Sequence, residues 1–300
     1  RAGATFRQPQ LAATLRRIAK DGSADFYRGE TARLIVEEMR RGAGIITAED
    51  LAGYRPVWRE PLRANWRDQE VLAAPPPSSG GFAVLQLLKL KDALAPAFKG
   101  LPHNSAQYIH LTAEMEKRVF ADRAEYLGDP DFVPQRIGEL LADEYIGRRA
   151  LDVNIGSISP ATGVMPGLEG HDTTHFSIVD RDGNAVAVSY TLNTDFGSGV
   201  VVGGGGFLLN NEMDDFSAKP GVANYYGVTG AEANAIAPGK RMLSSMSPTI
   251  LVKDGEVSLV VGSPGGATII TSVYQAIVNV LDFGMTAEQA VAATRFHHQL

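Results

Sequence analysis

Two spacings of apolar residues divide this chain. Through the first half they recur at steps of three and four: Leu11, Leu15 and Ile18, then Leu34, Ile35 and Met39. That spacing lines one helix face and predicts helices over residues 8–20 and 29–41. Further helices fit 82–94, 105–127 and 137–151, and Thr47-Ala-Glu-Asp50 has the form of a capping box. A short strand fits 70–73. Residues 153–172 are rich in Gly, Ser and Pro and carry no period, which predicts a linker. Beyond it the step becomes two. Hairpins are predicted over 175–191 and 249–261, followed by a helix over 267–281 and another opening at Thr286-Ala-Glu-Gln289. Helices, then strands, then helices imply stacked layers of both kinds, an α+β arrangement in place of alternating βαβ units.

The turn Asp180-Arg-Asp-Gly-Asn184 fixes the first hairpin's register. A type I turn with Gly183 in the left-handed position pairs Asp180 with Asn184, which sets Thr173 directly opposite Thr191. Phe176, Ile178, Val186, Val188 and Tyr190 then share one face. Thr173, His175, Ser177, Ala185, Ala187, Ser189 and Thr191 share the other. With so little charge on either side, the hairpin is expected to be covered on both faces. A threonine pair across a hairpin serves packing as readily as chemistry.

Ser263-Pro-Gly-Gly-Ala267 ends a strand and opens a helix, so the Gly265 and Gly266 amides lack intrahelical acceptors and could hold an oxyanion. It could equally be an ordinary tight turn. Gly203–Gly206 suggests a phosphate loop, but no Lys-Ser/Thr follows. Pro75-Pro-Pro-Ser-Ser-Gly-Gly81 reads as a rigid turn feeding a helix. Asp214 and Asp215 close the dense acceptor run Asn210-Asn-Glu-Met-Asp-Asp215, although a solvated turn is the common fate of such a pair. His297 and His298 are adjacent and cannot share a helix face, and no metal-site spacing or GxSxG elbow occurs.

Composition narrows the classes. The 300 residues are 44% hydrophobic and 21% charged with a net charge of −6, which gives nucleic acid or anionic membrane no reason to bind. The chain has no cysteine, which excludes disulfides, zinc–thiolate sites and a cysteine nucleophile. No apolar run approaches the roughly 20 residues of a membrane-spanning helix. The chain opens on Arg1, so a fragment or processed product is expected.

The ordered set TTHFSIVDRDGNAVAVSYTLNT, LLNNEMDDFSAKPG, LSSMSPTI and GSPGG resembles the γ-glutamyltranspeptidase family. PPPSSGG, ADRAEYLGDPDF from Ala121 and FYRG at Phe26 extend the likeness over nearly the whole chain. The resemblance implies an N-terminal nucleophile hydrolase with a four-layer αββα sandwich, made as a precursor that cuts itself between Asp172 and Thr173. Residues 1–172 would belong to the large subunit and 173–300 to the small one, intertwined in one domain. Thr173 would be the nucleophile, with its own α-amine as base, because an amine of pKa about 7.7–8.0 can take a hydroxyl proton near neutrality.

By the same likeness Thr191 would hydrogen-bond the nucleophile, and Gly265 and Gly266 would bind the oxyanion. Asn193, Glu212 and Asp215 would hold a substrate α-ammonium, Ser244 and Ser245 its α-carboxylate, and Tyr226 would gate the pocket beneath a lid over 220–231. Position 212 is glutamine in some relatives. The family's carboxylate-binding arginine is expected in a region N-terminal to this chain, and its last strands beyond residue 300. The resemblance implies no cofactor or metal, a glutathione-like γ-glutamyl donor, a water, amino-acid or peptide acceptor, and a periplasmic or secreted location. Alternatives are a cephalosporin (glutaryl) acylase of the same superfamily and an inactive, binding-only relative.

Overall fold

The computed structural model describes residues 3–160, 173–225 and 227–299. They gather into two compact units: Arg1–Arg59 with Phe196–Asn211, and Glu60–Asp195 with Glu212–Leu300.

The first unit holds α1 (Pro9–Asp21), α2 (Ser23–Arg28), α3 (Glu30–Arg41) and α4 (Ala48–Gly53). The expected helices 8–20 and 29–41 appear within a residue of their bounds, while α2 is too short to show a period. Helix α4 starts on the expected capping box, with Asp50 N donating to the Thr47 hydroxyl and the Asp50 side chain accepting from Thr47 N. The glycine loop of this unit serves packing. Gly203 N donates to the Glu38 carboxylate, the Thr14 hydroxyl donates to the Gly205 carbonyl, and a Cβ on Gly206 would lie 2.5 Å from the Leu11 nitrogen. Only a residue without Cβ lets the loop approach α1 so closely.

The second unit contains β1 (Leu62–Trp66), β2 (Gln69–Ala73), α5 (Gly80–Ala93), α6 (Ala95–Phe98), α7 (Ala106–Tyr126), α8 (Ile137–Leu140), α9 (Asp143–Leu151), β3 (Thr173–Val179), β4 (Ala185–Thr191), β5 (Thr249–Lys253), β6 (Glu256–Val261), α10 (Thr268–Leu281) and α11 (Ala287–Ala292). The single helix expected over 137–151 is two. Ala142 is extended at ψ 141°, and Asp143 and Glu144 then occupy the first turn of α9, where the helix dipole favours acids.

An antiparallel sheet runs in the order β1-β2-β5-β6. Helix α5 is apolar nearly all round because it is enclosed nearly all round, by β1 and β2 and by α7, α9 and α10. Phe82, Leu85, Leu88, Leu111, Met115, Ile270 and Tyr274 form the centre of that core. The β3–β4 hairpin is a second sheet, packed against β5 and β6. Its register is the expected one, Thr173 opposite Thr191 and Val179 opposite Ala185. The small face turns inward: a Cβ on Gly262, just past β6, would lie 2.0 Å from the His175 ring.

One expectation is corrected. The bulky face is bare instead of covered, with Phe176, Ile178, Val186 and Tyr190 all exposed. The unit's packed helices lie on the four-stranded sheet, so helix, sheet and second sheet are present among the described residues without a helical cover on the last.

Candidate active site

Thr173 begins β3 half-buried, its side chain on the inner face beside that of Thr191, whereas Thr174 points to the exposed face. The Thr191 hydroxyl accepts from Asn193 N at 2.9 Å, turning the chain as β4 ends. Asn193 is buried at φ +79°, a left-handed conformation that non-glycine residues seldom adopt. Strain at such a position is held where the surroundings over-determine it, commonly at functional sites.

Gly265 and Gly266 stand between β6 and α10 at φ +128° and +55°. Thr268 pins them: its amide and hydroxyl donate to the Gly265 carbonyl at 3.0 and 2.7 Å. Neither glycine amide has an acceptor among the described residues. The first conformation requires glycine, because a Cβ on Gly265 would also lie 2.4 Å from the Thr268 hydroxyl.

The acidic run forms a 3₁₀ turn, Glu212–Asp215. Asn234 secures it, donating from Nδ2 to the Asp215 carbonyl at 2.7 Å. No described residue donates a hydrogen bond to the Asp215 carboxylate, and burial pushes its pKa up to about 7, with Arg123 opposing the rise and Asp214 adding to it. Burial likewise pushes Glu212 up to about 7, with the Asp215 charge second. Two neighbouring carboxyls so raised are poised to take up a cation.

The serines are clamped from the other side of the sequence. Ser244 N donates to the Pro77 carbonyl, while the Ser79 amide and hydroxyl both donate to the Ser244 carbonyl, at 2.8 and 2.7 Å. The Ser78 hydroxyl donates to the Met246 carbonyl. The turn at Pro75 therefore feeds α5, as expected, and also grips residues 244–246. Gly80 is part of that grip, since a Cβ there would lie 2.2 Å from the Ser247 hydroxyl.

One cleft of about 370 Å³, counted to its open mouth, is lined by Thr173, Thr191, Asn193, Asp215, Ser244, Ser245 and Gly266. Glu212 lies beside Asp215 and Gly265 beside Gly266. Asn224 and Val228, from the segment expected to be a lid, line the cleft as well. Asp172 and Tyr226 lie outside the described residues. His297 and His298 have other work: His297 pairs with the Thr271 hydroxyl, and His298 N donates to buried Glu116. No cluster of metal-ligating side chains occurs among the described residues.

Arg123 also lines the cleft, and the sequence reading missed it. Its signal was there: Arg123 falls four and eight residues after Val119 and Met115, a charge within the apolar stripe of α7.

The sequence model of the γ-glutamyltranspeptidase family matches residues 1–300. The chain is 60% identical over 300 residues to a glutathione hydrolase proenzyme of Pseudomonas aeruginosa, covering 100% of this chain and 54% of that protein. It is 49% identical over 301 residues to the glutathione hydrolase proenzyme of Escherichia coli, covering 99% and 52%. Among solved structures it superposes on a cephalosporin acylase from Bacillus halodurans with a TM-score of 0.82 at 30% identity, covering 99% of this chain and 52% of that one. The chain thus spans about half the length of the curated relatives it matches. With the strand-end threonine, Gly266 and the raised Asp215 carboxyl in one cleft, and the family's sequence model matched from end to end, the chain belongs to the γ-glutamyltranspeptidase family.

Proposed function

We propose that the protein hydrolyses and transfers γ-glutamyl groups, glutathione being a donor of the right chemistry, after cutting itself between Asp172 and Thr173. In the cut, the Thr173 hydroxyl attacks the Asp172 carbonyl and the peptide nitrogen leaves as the threonine's own amine. Water then opens the resulting ester, releasing the Asp172 carboxylate.

In turnover that amine takes the hydroxyl proton as Thr173 Oγ attacks the γ-carbonyl, and the Gly265 and Gly266 amides bind the oxyanion. The proton passes to the departing amine, leaving a γ-glutamyl ester on Thr173. Water, or the amine of an amino acid or peptide, accepts the acyl group in the second half. Asn193, Glu212 and Asp215 hold the α-ammonium, and Ser244 and Ser245 the α-carboxylate. Tyr226 is assigned to gating.

One observation carries this reading over that of a glutaryl acylase: the Asp215 carboxylate faces the cleft with no donor among the described residues, Glu212 beside it. A glutaryl chain has no ammonium to meet them, and burying the Asp215 carboxylate against it would be costly. Identity favours the same choice, 60% to a glutathione hydrolase proenzyme against 30% to the acylase structure. N-terminal sequencing of the smaller piece of the full-length protein should read Thr-Thr-His-Phe, with turnover of a γ-glutamyl anilide. An uncut Asp172–Thr173 bond would leave the binding-only relative instead.

A further inference from the structure

Arg123 is a buried cation, 4% exposed, with no carboxylate within ion-pair distance among the described residues. It reaches from α7 to the floor of the cleft. Nε donates to the Ser79 hydroxyl at 2.8 Å and Nη2 to the Ser245 hydroxyl at 3.2 Å. Burial lowers its pKa only to about 10, with the Asp215 charge working the other way, so it is charged at neutral pH.

The direction of these bonds matters. A guanidinium only donates, so the Ser245 oxygen spends a lone pair on Arg123 and its O–H is left without an acceptor in the described protein. Ser244 is in the same state, its hydroxyl oxygen accepting from Met246 N at 3.0 Å. Two serine hydrogens thus face a cleft whose wall holds a buried positive charge. An anion completes such a set, and Asp215 is too far away to supply it as an ion pair.

Resting on the γ-glutamyl reading above, we propose that Arg123 is the positioning residue for the substrate α-carboxylate: it aims the Ser245 hydroxyl at that group and supplies the buried charge that offsets it. Through Ser79, which it also grips, Arg123 ties the Ser244 carbonyl to the same scaffold. The other end of the substrate zwitterion is left to Asp215 and Glu212. Arg123 therefore discriminates for the α-carboxylate and is indifferent to the acceptor.

The test compares matched anilides in the full-length protein: γ-glutamyl, 4-aminobutyryl, which lacks only the α-carboxylate, and glutaryl, which lacks only the α-ammonium. Arg123→Met should cut the preference for γ-glutamyl over 4-aminobutyryl at least tenfold, mainly through KM, while self-cleavage continues. Arg123→Lys should recover part of that preference. Ser245→Ala should show the same selective loss should Arg123→Met fold poorly. A parallel fall with both substrates, or a loss confined to the preference over glutaryl, would overturn the proposal, since the first is general damage and the second marks Arg123 as a mere counter-charge to Asp215. If the wild type turns over no γ-glutamyl anilide, the function proposed above fails on its own. Arg123 is then read from heat protection, where L-glutamate should outdo 4-aminobutyrate in the wild type but not in Arg123→Met; an unchanged difference sinks the inference.

Discussion

Replacing Asp215 by Asn keeps the side chain's shape and leaves the Asn234 bond to its backbone carbonyl in place. What goes is the charge that would meet a substrate α-ammonium. A hydrogen bond to a charged partner contributes about 1.5–3 kcal/mol, which predicts about a 10- to 150-fold fall in kcat/KM for a γ-glutamyl anilide. Glutaryl anilides should gain relative to γ-glutamyl ones. The size of the loss should itself depend on pH. With a pKa near 7 in the free protein, Asp215 is about nine-tenths ionised at pH 8 and about one-tenth at pH 6, so the wild-type advantage should shrink about tenfold between them. Glu212 reinforces the trend, because without the Asp215 charge it titrates lower and helps the variant at pH 6. An equal penalty at both pH values, or an unchanged preference between the two anilides, would remove Asp215 from ammonium recognition.

The same variant should be more stable than the wild type, by a margin that opens above about pH 4 and is full only above neutrality. Unfolded Asp ionises near 3.9 and the buried one near 7, so the folded state binds the extra proton and wild-type stability falls as pH rises between them. That gap sets a ceiling of about 4 kcal/mol, reduced by water at the cleft mouth. Thermal melts should show Asp215→Asn melting higher at pH 8 and level with the wild type at pH 4.

Thr173→Ala should abolish both the cut and turnover, Thr173→Ser should retain part of each, and Thr174→Ala, on the exposed face, should keep most of both; gels and anilide assays on all three would expose an error if the two alanine variants behaved alike. Gly265→Ala must strain φ +128° and push on the Thr268 hydroxyl, so kcat should fall at least tenfold while the fold, followed by circular dichroism, survives; full activity would exclude this turn as the oxyanion site.

The hairpin register and the α10 turn were legible because each depends on local chemistry. Gly183 forces the turn, the turn fixes every cross-strand pair, and two consecutive glycines ahead of an apolar helix leave their amides open. Arg123 was harder to read. Its role depends on Ser79 and Ser245, which lie 44 and 122 residues away along the chain, and periodicity shows only that a charge sits in an apolar stripe. The bare face of β3–β4 was misread for a related reason. Alternation reports which residues share a side and says nothing of what covers it.

A cut at the proposed position, between Asp172 and Thr173, would open the chain and still leave it whole. Strand β2 lies before residue 172 and β5 after it, yet they are neighbours in one sheet, paired from Glu70 with Val252 to Ala73 with Thr249. Ser78, Ser79 and Arg123 come from before the cut and hold Ser244, Ser245 and Met246 from after it. Helix α10, again from after the cut, packs on α5 from before it. Hydrolysis at Asp172–Thr173 therefore removes one covalent bond from a core whose sheet, buried apolar contacts and clamp all cross between the pieces. The new amine would gain freedom at the strand end without loosening the cleft that must align it. A nucleophile released this way costs little stability, because the residues that shape its pocket were never held in place by the bond that breaks.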